Sequence, residues 1–478
     1  MVRIEGIWLK TKTQIEFLQS IVESIEEELL RYQNACLERL NKRLGLAILE
    51  IEALTNTEFE SISLQSLSLS IKPLKKAHYA LFEKSLRKRV DELESWRKDF
   101  DPSWFLVGRI ADASIDKALE QQSKDTDTQE SVKTISAIRE AIGATRKGTG
   151  SHASVFRESN ILSAVLTPLA NSTVSLCSLS TDGTPVLLDT TDFDEDVDKV
   201  QYSTHVRDLA KLLSLSKPET LGLLQCLGVI KILGRLGKLY QFQFIYKIPQ
   251  ALSEAASLRT QLTGPPISLD ARFRLARSLA RNLMAVHSAD LVHKNIRPET
   301  VVVFKDSSDP LPVSFLVGFE RFRPLSAGSN LIGDMMWERD IYRYPNRQGL
   351  RPEFVYIMQH DIYSLGVCLL EIGLWTSFVT TGDPPRPGPR LDMSKVTMRP
   401  KVQAAWEIKK MFIEMARESL PSAMGLVYTE VVISCLTCLD QGTSNMFADV
   451  KELYDEDGIL VGVAFIEKIL MRLESISL

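Results

Sequence analysis

Cysteine is scarce in this chain of 478 residues: six, widely scattered. That excludes a disulfide-stapled secreted scaffold and reads as reduced thiols in an intracellular, cytoplasmic protein. No charge of one sign dominates. Lys and Arg number 57 against 61 Asp and Glu, a net charge of −4, so no global basic field calls for nucleic acid. No uncharged apolar run approaches the ~20 residues that a bilayer-spanning helix needs. The start lacks the apolar core of a signal peptide, because Glu5 and the polar run from Lys10 to Gln14 interrupt it. What is present is ordinary: 44% apolar and 25% charged residues, the balance of a folded chain rather than a disordered one. At about 100–200 residues per domain, the length allows two or three.

The first third reads as helical. Ile15, Leu18, Val22, Ile25, Leu29, Tyr32 and Cys36 recur with alternating three- and four-residue steps, so they form one stripe on a single helix. Leu40, Leu44, Ala47, Ile51 and Leu54 continue it. A Ser/Thr-rich loop follows, then a second helix whose buried face includes Leu81, Leu86, Val90, Leu93, Trp96 and Phe100. Asp101-Pro102 is a stop-and-start signal, predicting a third helix from Trp104 to Glu120, and a fourth ends near Ala144. The expectation is an antiparallel bundle of about four helices over 1–145, then a linker over 146–160 rich in Gly, Ser and Thr. Lys84, Arg87, Lys88 and Arg89 form a basic run. It fits either an anionic membrane surface or a solvated face interleaved with Glu83, Asp91, Glu92 and Glu94.

The chemistry-bearing motifs lie in the second part. The stretch from Leu283 to Val303, with His287, Val292-His293-Lys-Asn295-Ile-Arg297-Pro298-Glu299-Thr300, resembles the catalytic loop of a protein kinase. His360-Asp361-Ile-Tyr-Ser364-Leu-Gly366, followed by an apolar run, resembles the start of the apolar helix that forms the pillar of the kinase C-lobe. This implies an α+β chain: the helical bundle, then a bilobal kinase-like fold with a small β-rich N-lobe at 161–248 and a helical C-lobe at 249–478. Val174 to Leu188 reads as a hairpin turning at Asp182-Gly183, Val200 to Leu213 as a helix, and Gln241 to Tyr246 as a strand.

The resemblance also defines what is missing. A kinase needs an Asp to receive the substrate proton and an Asn and an Asp to hold Mg²⁺; the matching positions are Asn295, Thr300 and Gly318. Phe319 keeps the aromatic of the metal-binding motif, with Glu320 beside it. Arg297 matches the loop lysine, and Asp189 stands where the lysine that grips the nucleotide phosphates belongs. No glycine-rich phosphate loop precedes it, for 164–171 contain no glycine. Tyr344-Pro345-Asn346 lacks the glutamate that kinases bury against an arginine, and 435–450 contain no arginine. Losing both partners leaves no orphan charge. Asp361, Ser364 and Gly366 are the structural residues of the pattern. The resemblance thus implies a pseudokinase with no resident cofactor or metal, a protein partner and no nucleic acid.

Ile7 to Leu18 and Glu94 to Leu106 resemble the latter part of fungal HeLo-like (prion-inhibition and propagation) helical domains. Val292 to Arg297, Leu316 to Glu320 and Tyr342 to Gly349 resemble the degenerate kinase-like domain attached to many of them. The layout is shared, by analogy, with the animal necroptosis executioner. The family implies a role in self/non-self recognition or regulated cell death, with the chain beginning at what resembles the middle of such a helical domain. Two alternatives stay open: a divergent ATP-dependent Ser/Thr kinase using Glu320 or Asp334 on metal, and a membrane-permeabilising executioner acting through the bundle. Three smaller expectations complete the reading. Asp189 to Asp198 is a solvated acidic connection, Cys435 and Cys438 are core, and Trp375 and Trp406 are core.

Overall fold

The computed structural model describes residues 12, 14–25, 27–55, 106–110, 112–123, 135–136, 139, 155–192, 199–216, 218, 222–233, 239–307, 311–319, 323–324, 336–349, 356–380, 382–395, 401–440, 447 and 459–476. The chain is α+β and divides into two compact units, Met1–Lys133 and Thr134–Leu478.

In the first unit, helical residues 14–20 lead through a 3-10 turn at Val22–Ser24 into α1, Glu27–Thr55. The single helix expected from Ile15 onward is therefore broken. Phe17, Leu18 and Ile21 are buried while Val22 is 42% exposed, because the turn rotates the chain by one position relative to a continuous heptad. From Ile25 the stripe holds: Leu29, Tyr32, Cys36 and Leu40 are buried, and the side chains of Leu44, Ala47, Ile51 and Leu54 lie outside the described residues. The third helix is also divided. A 3-10 turn at Val107–Arg109 is followed by α2, Ala113–Ser123, which starts where the Asp112 carboxylate accepts the Ser114 N–H at 2.7 Å. Ile110, Ile115 and Leu119 are buried, and Ser24 and Ser114 share a hydrogen bond of 2.6 Å. The second helix, the basic run and most of the fourth helix lie outside the described residues.

After helical residues at 135–136 and 139, the second unit forms a six-stranded sheet: β1 Phe156–Arg157, β2 Thr167–Pro168, β3 Val174–Ser178, β4 Pro185–Asp192, β5 Cys226–Leu233 and β6 Leu239–Lys247. The order is β1-β5-β6-β4-β3-β2, antiparallel except for the β1/β5 pair. Part of the stretch read as linker is thus folded, as β1. The β3–β4 hairpin turns as the sequence predicts. Gly183 takes φ +71°, and the Asp182 carboxylate accepts the Thr184 N–H at 3.0 Å, which lowers its pKa. Val186, Leu188, Ile230 and Ile245 form the sheet core, and α3, Lys199–Ser214, buries Val206, Leu209, Ala210 and Leu213.

Helices dominate the remainder. β7 (Leu252–Ser257) runs into the short α4 (Leu258–Leu262) and then α5 (Leu269–Ser288). After α5 come β8 (Leu291–Val292), β9 (Val301–Asp306), β10 (Val313–Leu316) and β11 (Arg323–Pro324). β10-β9-β7 form one sheet and β11-β8 another. Next are α6 (Trp337–Asp340), α7 (Met358–Leu374), the β12/β13 pair (Val379–Thr380 and Arg386–Pro387), α8 (Lys401–Met424) and α9 (Leu426–Leu436). The chain ends in α10 (Ile459–Phe465), a π turn (Ile466–Leu470) and α11 (Met471–Ser475). Every α7 residue from Met358 to Gly373 is buried, as expected of a helix apolar on nearly all sides. Gly366 makes this packing feasible: a Cβ there would lie 2.6 Å from the Cys435 Cβ of α9. Trp375 is buried as read, but Trp406 is 39% exposed, packing edge-on to Tyr344. Among the described residues no helix is long and apolar enough to cross a membrane.

Candidate functional site

α5 begins with Ser268 accepting the Ala271 N–H and delivers the chain through β8 to the loop at 293–297. Asp361, at the start of α7, shapes that loop. Its carboxylate accepts the backbone N–H groups of His293 (2.7 Å) and Lys294 (2.9 Å) and the Tyr356 hydroxyl (2.6 Å). Burial alone would raise its pKa, but the His287 hydrogen bond at 3.3 Å, with the His293 and Tyr356 interactions, holds it below the usual carboxylate value. Lys294 sits at φ +65°, a conformation disfavoured for a non-glycine residue; the bond from its N–H to Asp361 helps to hold it there.

The β9/β10 register pairs Val301 with Leu316, which brings Thr300 beside Val317 and Gly318. The Val317 N–H donates to the Thr300 carbonyl at 2.9 Å. His293, Asn295, Arg297, Thr300, Gly318 and Phe319 thereby meet, and β4 adds Asp189. Glu320 and Asp334 lie outside the described residues. Ser364 and Gly366 are on α7 but away from the loop: the Ser364 hydroxyl donates to the Tyr342 carbonyl at 2.7 Å, and Gly366 faces α9.

The polar groups of Asn295, Arg297 and Thr300 are bonded within the site, whereas His293 Nε2 is buried with no hydrogen-bond partner. The Asn295 amide donates to the Gly318 carbonyl (3.1 Å), and its oxygen accepts from Arg297 Nε (2.8 Å). Thr300 Oγ1 donates to the Asn295 carbonyl (2.6 Å) and accepts the Arg297 N–H (3.2 Å). The Arg297 guanidinium lies 3.7 Å from Glu299. An amide cannot take a proton at neutral pH and a threonine hydroxyl is a poor metal ligand, so Asn295 is no general base and Thr300 is a weak ligand. Among the described residues no cluster of three or more His, Cys, Asp or Glu could hold a metal ion. The His293 ring is fully buried. It lies 4.4 Å from that of Phe319, and burial lowers its pKa to about 4, against the opposing pull of Asp361.

Asp189 corrects the expectation of a solvated acidic stretch at its first member. It is fully buried, accepting the Gly318 N–H at 2.7 Å and the Thr173 hydroxyl at 3.2 Å. The signal was in the sequence: an acidic residue closes the apolar run Val186-Leu187-Leu188, whose members are all buried. Gly318 is at φ +76°, and a Cβ there would lie 2.5 Å from Thr300 Cγ2. Thr300 thus fills the space that a side chain at 318 would need.

Two further clusters escaped the sequence reading. Arg259 of α4, 1% exposed, donates to Glu299 (3.0 Å), Glu371 (3.2 Å), the Tyr342 hydroxyl (2.9 Å) and Ser377. The second cluster joins three residues: the Tyr344 hydroxyl donates to Asp440 at 3.0 Å, and Asp440 pairs with the buried Lys409. No family model matches the chain, and no curated protein matches it.

Proposed function

We propose that the second unit is a bilobal kinase-like module that has lost phosphoryl transfer and serves as a non-catalytic signalling or scaffolding element. The first unit is the HeLo-like helical partner, and the whole belongs to fungal self/non-self recognition or regulated cell death. The observation that carries the non-catalytic reading is Gly318. It stands where the metal-holding carboxylate would be required, its N–H is taken by Asp189, and the space around it is filled by Thr300. Asp189 also replaces the cation that would meet phosphate, so the same contact puts a carboxylate where a nucleotide's own negative charge would sit. Repulsion between the two disfavours ATP before any question of metal arises. Asn295 offers no base, and its amide is committed on both sides.

The test is a thermal shift of the purified protein with millimolar ATP, with and without Mg²⁺. The expected result is an unchanged melting temperature in both. A rise that requires the divalent ion would overturn the reading, as would robust Mg²⁺-dependent phosphate transfer abolished by Gly318→Arg.

A further inference from the structure

Two parts of the second unit, the six-stranded sheet and the helical remainder, are stitched together along one seam. On the sheet side are the turn between β2 and β3 and Asp189 within β4. On the other side are β7, α4, the 3-10 turn at 298–300 and Gly318. The Ala170 carbonyl accepts from the Ser257 hydroxyl (2.7 Å) and from the Thr260 hydroxyl (2.9 Å). The Asn171 amide donates to Thr260 Oγ1 at 3.1 Å, and the Ser172 hydroxyl to the Glu299 carbonyl at 2.8 Å. Thr173 then orients Asp189, which takes the Gly318 N–H. Five consecutive residues from Leu169 to Thr173 contain no glycine, and Asn171 nevertheless adopts φ +55°. That conformation is costly for a residue with a Cβ and persists where surrounding contacts fix it.

The far side of the seam is equally constrained. Gly318 cannot rotate its N–H away freely, since Asn295 holds its carbonyl and Val317 is bonded to Thr300. The Asp189 side chain has no exposed surface, so breaking its bond would leave the buried Gly318 N–H without that acceptor unless water enters. Each stitch therefore supports the next, and opening one end exposes the rest.

We infer that this seam is a built-in latch that keeps the sheet and the helical part closed on each other without a ligand between them. The inference rests on these contacts alone and goes beyond the kinase-like reading. A partner that acts on this unit would do so by opening or reinforcing the seam from outside, because the closed state is already the resting one.

Hydrogen–deuterium exchange on the full chain tests it, with Asp189→Ala and Ser172→Ala compared with the unmodified protein. The second variant removes only a hydroxyl donor on a half-buried turn and keeps the test valid if the first fails to fold. The expected result is faster exchange, on the order of tenfold, on both sides of the seam: peptides covering 169–174 and peptides covering 297–300 and 314–319. Peptides from α7 should be unchanged. Asp189→Asn, which keeps an accepting oxygen, should give a smaller increase than Asp189→Ala. Folded variants whose faster exchange is confined to the side carrying the substitution would overturn the latch, as would variants with no change at all.

Discussion

Asp361 has no exposed surface, yet its pKa is held below the usual carboxylate value, because the His287 ring and the Tyr356 hydroxyl meet it together with two backbone N–H groups of the loop it supports. Asp361→Ala would leave those donors buried and unmet and free Lys294 from the bond that helps to hold its φ of +65°. The expected loss is about 3–5 kcal/mol in urea unfolding; a loss under about 1 kcal/mol would mean that the loop is shaped by something else. Gly318 makes a different demand. Gly318→Ala meets Thr300 Cγ2 at 2.5 Å and also strains a φ of +76°. It should cost about 1–3 kcal/mol, and Thr300→Ser in the same chain should recover only the steric part. If the double variant were fully restored, backbone strain would carry no weight. Both positions were legible in the sequence because each falls inside a local pattern. Asp189 fell in such a pattern too, but its bond to a residue 129 positions away leaves no periodic trace, and the run of acidic residues after it suggested solvent.

Between elements, the dominant device is the guanidinium of Arg259, which ties α4 to the 3-10 turn, to α7 and to the chain following α7. A five-residue helix with one arginine carries no signal of its own. The sign that could have been read is Glu371, the one charge in the apolar run Val367 to Gly373. Arg259→Leu should destabilise by about 3–5 kcal/mol, because it orphans a buried carboxylate. Arg259→Lys should recover little, since one ammonium cannot match the fork that meets Glu299, Glu371 and Tyr342 together. A variant within about 1 kcal/mol of the parent would contradict this. The cluster also sets a pH dependence. Burial raises Glu371 to about 7, with Arg259 opposing. Its Oε1 receives Arg259, Tyr342 and the Phe378 N–H while Oε2 has no hydrogen-bond partner, leaving that oxygen open to a proton. With an ordinary value of 4.5 in the unfolded chain, the folded state binds the extra proton between about 4.5 and 7. This group's contribution is fully present below that window and is lost as pH rises through it. Glu371→Gln mimics the protonated form and should flatten the stability profile between pH 5 and about 8; an unaltered slope would place the titration elsewhere.

For the whole molecule, the sequence made periodic and locally punctuated features readable: α1 beyond Ile25, the β3–β4 hairpin, α3, β6 and the all-round apolar α7. It did not reveal where periodicity is interrupted by tertiary demand, as at Val22 and in the divided helix near Ile110, because a heptad does not record a turn of one position. The distribution of cysteine joins these scales in one measurement. Cys36, Cys226, Cys368, Cys435 and Cys438 are buried in α1, β5, α7, α9 and just after α9, and Cys177 alone is of intermediate exposure. Burial pushes the Cys226 thiol up to about 12 and raises Cys368, Cys435 and Cys438 as well. Thiolate, the reactive form, is therefore suppressed where access is also blocked. Even Cys177 donates towards the carbonyls of Ser163 and Ser178. A colorimetric thiol reagent at pH 8 should titrate at most one group rapidly in the native protein and all six in denaturant, and Cys177→Ser should abolish the fast phase. Two or more fast thiols would mean that at least one of α1, β5, α7, α9 and the turn after α9 does not bury the cysteine assigned to it. Rapid loss of Cys435 and Cys438 together would specifically undo the close α7–α9 crossing that Gly366 permits.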